Sequence, residues 1–156
     1  MVVAVNKGDG LRAEQRESAK HSLERTLTFI DYAPVHYISA LAGTGIKSML
    51  DAVERAYRAA MVKLPTPKLT RALEAAIARQ APPRGGIFRP KMRYAHQGGS
   101  NPPRIIIHGT GLNRVGDSYR RYLEHFFRDE FELMGTPLKI EFKQGINPYD
   151  NRRAKR

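Results

Sequence analysis

Met1-Val2-Val3-Ala4-Val5-Asn6-Lys7-Gly8-Asp9 decides how the first part of this chain is read. Met1 to Val5 is a continuous apolar run, the pattern of a strand buried on both faces, and it breaks at once into a turn at Lys7-Gly8-Asp9-Gly10. Outward from there, residues 12–30 carry Ala19, Leu23, Leu27 and Ile30 at helical spacing. Val35 to Ile38 is a second apolar strand and ends at Ser39-Ala40-Leu41. Residues 45–62 repeat the helical pattern, with Ile46, Leu50, Val53, Tyr57 and Met61 on one face. Strand–helix–strand–helix predicts a right-handed crossover and a parallel sheet. A two-stranded sheet is too small to be stable alone, so this segment is read as the end of a larger domain whose earlier part lies upstream of Met1.

The two strand ends carry the chemistry. Asn6-Lys7-Gly8-Asp9 is an N-K-x-D sequence, and Ser39-Ala40-Leu41 follows about thirty residues on, at the end of the next strand. Together they resemble the base-recognition pair of the Ras-like GTPases. Ligands of open parallel sheets bind beyond the carboxyl ends of the strands, where both motifs stand. The resemblance implies guanine contacts from Asn6, Lys7, Asp9, Ser39, Ala40 and Leu41. Asp9 would accept both N–H donors on one edge of guanine and so reject adenine. The Lys7 stem would lie along the base with its charge in water. Asn6 would tie its loop to neighbouring backbone, the Ala40 N–H would face guanine O6, and Ser39 would brace that turn. Gly8 departs from relatives that carry a bulkier residue there.

The phosphate machinery is missing from the sequence. No G-x-x-x-x-G-K-[ST] loop occurs; Gly111 to Ser118 has the glycine spacing, but Asp117 stands where the lysine belongs and would repel phosphate. GTP or GDP is therefore expected to meet only base contacts here, at millimolar affinity or weaker, about −4 kcal/mol. Mg²⁺ is not expected to be held by this chain, and it should not hydrolyse GTP alone.

Pro65-Thr66-Pro67 marks a boundary, with residues 1–64 before it, 65–149 after it and a polar basic tail at 150–156 expected to be disordered. The second segment reads helix (68–80), strand (91–97), strand (104–108), helix (117–133), strand (138–143). Charge is uneven: residues 1–64 hold nine Lys/Arg against seven Asp/Glu, whereas residues 65–156 hold eighteen against eight. Most of the formal net charge of +12 thus lies in the second segment, which points to a polyanionic partner.

Arg89 to Pro103, Ile107-His108-Gly109, Ser118 to Glu124, Phe126-Phe127-Arg128, Gly135-Thr136-Pro137, Ile140 to Lys143 and Asn147-Pro148-Tyr149 resemble the C-terminal domain of the Der (EngA) family of bacterial tandem GTPases. That resemblance implies an α+β, KH-like fold, a role in maturing the large ribosomal subunit, and ribosomal RNA and the upstream GTPase domains as partners. KH domains clamp nucleic acid with G-x-x-G, but no two glycines here are three residues apart. RNA contacts are looked for instead at Arg84, Arg89, Lys91, Arg93 and Arg104. Tyr94 and His96 could stack on bases, but sharing a strand face with Met92 they are expected to pack against the helices. Tyr119, Tyr122 and Phe126 are expected in the core. A domain that chiefly docks and regulates the GTPase domains, through the 97–103 loop, is the alternative.

Other classes are disfavoured. The chain of 156 residues has no cysteine, and its five histidines lack metal-ligand spacing. No apolar run approaches the roughly 20 residues a membrane helix needs, and no signal sequence precedes the first strand, so a cytoplasmic protein without membrane partners is expected.

Overall fold

The computed structural model describes residues 1–7, 10, 12–85 and 89–144. Asp9 and the tail 150–156, both singled out above, lie outside the described residues. The chain divides into two compact units. Unit 1 holds Met1–Val62 together with Ser100–Pro103 and Phe131–Leu138, and unit 2 holds the remainder.

In unit 1, β1 (Val3–Val5) and β2 (Val35–Tyr37) pair in parallel, with Val3 opposite Val35 and Val5 opposite Tyr37. The crossover is α1 (Ala13–Thr26), shorter than its pattern predicts because a separate 3₁₀ turn, Thr28–Ile30, takes over after Leu27. The second helix, α2 (Ile46–Ala60), follows β2. Leu50, Val53, Tyr57 and Met61 are 56%, 47%, 63% and 45% exposed, while Ala52, Ala56 and Ala59 are buried. The alanines are small enough for backbone to approach closely. Gly135 lies so near that a Cβ there would come within 2.5 Å of the Ala56 Cβ. The Asn101 N–H donates to the Ala60 carbonyl at 3.0 Å, and the Gly135 N–H to that of Tyr32 at 2.9 Å. Loops from far along the chain thus seat on the alanine stripe.

In unit 2, Pro65 caps α3 (Thr66–Arg79) and Pro67 lies in its first turn, a position that suits proline, so the helix starts two residues before the expected 68. The three-stranded sheet has the order β3 (Lys91–Gly99), β4 (Arg104–Thr110), β5 (Lys139–Gln144), antiparallel at β3–β4 and parallel at β4–β5. The parallel pair is joined through a 3₁₀ turn at Leu112–Arg114 and α4 (Asp117–Glu130). This helix–strand–strand–helix–strand order is the α+β, KH-like arrangement expected from sequence. The core is Leu69, Leu73 and Ala76 of α3, Ala95, Ile105, Ile107 and Ile140 of the sheet, and Tyr119, Leu123 and Phe127 of α4.

One detail differs from the sequence reading. Phe127 is fully buried, whereas Tyr122 and Phe126 are only half-buried. Tyr119 and Tyr122 donate their hydroxyls to the Gln80 and Ala76 carbonyls at 2.6 and 2.8 Å at the end of α3, where the Ala76 carbonyl also accepts the Gln80 N–H at 2.9 Å. Thr70 Oγ1 lies 3.3 Å from both the N–H and the carbonyl of Ala95, covering backbone groups of β3 that β4 does not use.

Candidate nucleotide and nucleic-acid sites

At the carboxyl ends of β1 and β2 the structure brings two loops together. Asn6 Oδ1 accepts the Lys7 N–H at 2.8 Å and the Ala40 N–H at 3.1 Å. Asn6 therefore ties its loop to neighbouring backbone, and the Ala40 N–H expected to face guanine O6 points at Asn6 Oδ1. A guanine oxygen would share that donor. Lys7 takes a left-handed backbone (φ 63°) with its side chain in solvent. Ser39 is buried: its N–H donates to the Thr44 carbonyl at 3.0 Å, and its Oγ accepts the Ala42 N–H at 3.2 Å. These two bonds close the tight turn in which Ala40 stands. Leu41 is 99% exposed among the described residues. The donor set fits a flat, polar base edge: an amide, an ammonium and a constrained backbone N–H at adjoining strand ends.

The second site is a face of the unit 2 sheet. Ala95, Ile105 and Ile107 are buried towards the helices, so their alternates on β3 and β4 point the other way. Those alternates are Tyr94, His96, Arg104, Ile106 and His108, and the register adds Lys139, Glu141 and Lys143 from β5. Tyr94 and His96 thus lie on the face away from the helices, correcting the expectation that they pack against them. Met92 does not share their face. A register shift between Met92 and Tyr94 breaks the alternation, which sets Lys91 opposite Thr110, in the row of His108.

The rings on this face are nearly parallel. Tyr94 and His108 lie 4.5 Å apart between centroids at 5°, His96 and His108 5.0 Å at 25°, and Tyr94 and His96 6.3 Å at 27°. Burial, then His96, then Lys143 hold the His108 imidazole below its ordinary range, and its Nε2 has no hydrogen-bond partner among the described residues.

Of the cations expected to contact RNA, Lys91 and Arg104 lie in rows of this face. Arg104 is engaged there, with Glu141 at 3.3 Å and the Gly98 carbonyl at 2.8 Å. Arg93 is exposed at the register shift, and Arg84 and Arg89 are exposed in the segment before β3. The structure does not gather the five into one cluster. Sequence reasoning missed His108, Lys139 and Lys143 as members of the face. The signal was present in the alternation of β5, but only the strand register joins it to Tyr94.

The sequence pattern described as "KH-domain-like of EngA bacterial GTPase enzymes, C-terminal" matches residues 63–143. The chain belongs to the EngA (Der) family. It is 56% identical over 154 residues to the GTPase Der of Nitrosomonas eutropha, covering 99% of this chain and 33% of the relative. Over 149 residues it is 60% identical to the GTPase Der of Bordetella petrii, covering 96% of this chain and 33% of the relative. With the GTPase Der of Chromobacterium violaceum the identity is 55% over 151 residues, 97% of this chain and 32% of the relative. The chain spans about a third of the length of the curated relatives it matches. No helix among the described residues is long and apolar enough to cross a membrane.

Proposed function

We propose that this chain is the C-terminal part of a cytoplasmic GTPase that acts in assembly of the large ribosomal subunit. In this reading the KH-like domain contacts ribosomal RNA, and Asn6, Lys7, Asp9, Ser39, Ala40 and Leu41 read the guanine of GTP or GDP. Phosphate and Mg²⁺ contacts come from upstream parts of the intact protein. The observation that carries the RNA reading is the unit 2 sheet face, where Tyr94, His96 and His108 stand in one row system with Lys91, Arg104, Lys139 and Lys143. An exposed Tyr94 ring beside two half-buried imidazoles and among cations suits unpaired RNA, while the missing G-x-x-G leaves the usual KH clamp out.

Filter binding of ribosomal RNA fragments at low and moderate salt tests this. Each phosphate contact releases counterions, so affinity should fall steeply with salt, by about 0.7 in log–log slope per contact for single strands. Binding that is undetectable, or indifferent to salt, rejects it.

A second reading makes the KH-like domain a docking and regulatory module for the GTPase domains. It is favoured by the Asn101–Ala60 and Gly135–Tyr32 hydrogen bonds, in which loops of the later sequence seat on the earlier one. Association of this chain with the upstream domains should then differ between their GTP and GDP states. Equal association in both would reject switching.

A further inference from the structure

The open face of the unit 2 sheet carries more than positive charge. Tyr94 is 43% exposed, while its neighbour Ala95 and the facing Ile105 and Ile107 are fully buried. His108 stacks on the Tyr94 ring at 4.5 Å and 5°, and Tyr94 keeps its partial exposure with that ring in place. The third ring, His96, is tilted only 25–27° from the other two. Ile106, directly opposite His96 in the register and 5% exposed, gives this patch an apolar floor. His108 Nε2 has no hydrogen-bond partner among the described residues. Burial, then His96, then Lys143 disfavour a proton on its imidazole. Lys139 and Lys143 flank the rings on β5, both exposed, with no carboxylate partner among the described residues.

We propose that Tyr94, His108 and His96 form a base-stacking platform, so that this face takes an unpaired nucleotide of single-stranded RNA rather than a duplex. The proposal rests on the RNA reading above and specifies its ligand. A base arriving parallel to the three rings extends the stack on the free side of Tyr94. Its flanking phosphates then fall among Lys139, Lys143 and Lys91. A duplex cannot do this, because its base faces are already covered by neighbouring bases and only edges and backbone are presented. Stacking is tolerant of base identity, since every base has a π-face, so the platform selects strandedness more than sequence.

The test uses the whole chain, a fluorescein-labelled oligouridylate and an RNA duplex of equal length, with anisotropy titrations at several salt concentrations. The single strand should bind more tightly than the duplex. Tyr94→Leu should weaken single-strand binding about tenfold, as expected for one lost base–ring stack, and leave duplex binding and the salt slope unchanged. Tyr94→Phe should recover the affinity lost in Tyr94→Leu. Because Tyr94 is half in solvent, the leucine variant should fold, and its urea midpoint checks that. If Tyr94→Leu binds the single strand like the parent while Lys139→Gln with Lys143→Gln weakens it, the platform is wrong and the RNA reading survives. If the parent binds neither RNA at low salt, the RNA reading itself falls.

Discussion

Asn6 and Ala40, thirty-four residues apart, are joined by a 3.1 Å hydrogen bond from the Ala40 N–H to Asn6 Oδ1. This bond joins the loop that leaves β1 to the loop that leaves β2. The two motifs therefore act as one unit, with the amide of the first setting the backbone of the second. Asn6→Ala should free the Ala40 N–H and speed its hydrogen exchange. The bond is exposed, so global stability should fall by about 1 kcal/mol or less. Asn6→Asp keeps an acceptor oxygen and should keep the Ala40 amide protected. Equal exchange in all three proteins would show that the bond does not hold the loops together.

His108 predicts a loss of stability in mild acid. Burial first, then His96, then Lys143 lower its pKa from 6.5, and the groups that face it are Tyr94 and His96 on β3 and Lys143 on β5. The unfolded chain then binds a proton at pH values where the folded chain does not. Stability is fully present above about pH 6.5 and falls as pH drops from there through the lowered folded value. Urea midpoints measured on both sides of this window should show the decline. His108→Phe should flatten it.

Tyr119 predicts the opposite limb. Burial, followed by the neighbouring Tyr122, pushes its phenol up to about 12. The folded state holds the proton after the unfolded chain has lost it, so stability is present below about pH 10 and drains away between about 10 and 12. In an absorbance titration of the seven tyrosines, one should ionise late and together with unfolding. Tyr119→Phe should abolish that late step. It should also cost about 1 kcal/mol, since the Gln80 carbonyl loses its 2.6 Å donor.

Gly109 is fixed by the approach of a neighbouring strand. A Cβ on it would stand 2.0 Å from the Lys91 carbonyl oxygen, and backbone cannot yield as a flexible side chain can. Gly109→Ala should destabilise unit 2 by roughly 2–4 kcal/mol, by prying β3 from β4. At Gly116, by contrast, a Cβ would meet nothing within 4 Å. Gly116→Ala should be neutral or slightly stabilising, by about 0.5 kcal/mol, through a less mobile unfolded chain. Thermal denaturation of the pair decides the matter.

The sequence alone determined the elements and the motifs. Apolar runs and helical spacing are local properties, so β1, α1, β2 and α2, and the order of unit 2, could be read to within a few residues. Asn6, Lys7 and Ser39-Ala40-Leu41 were legible for the same reason: their chemistry lies in short stretches beside identifiable strands. Only the tertiary structure decided which apolar faces are buried and which side chains become neighbours. In α2 the buried side chains are Ala52, Ala56 and Ala59, with a Cβ on Gly135 coming within 2.5 Å of the Ala56 Cβ, while Leu50, Val53 and Tyr57 are exposed among the described residues. On β3 a one-residue register shift changed which side chains share a face, and the pairing of β3 with β4 set Tyr94 against His108. Such contacts depend on register between distant strands, and side-chain periodicity within one strand carries no information about its partner's register.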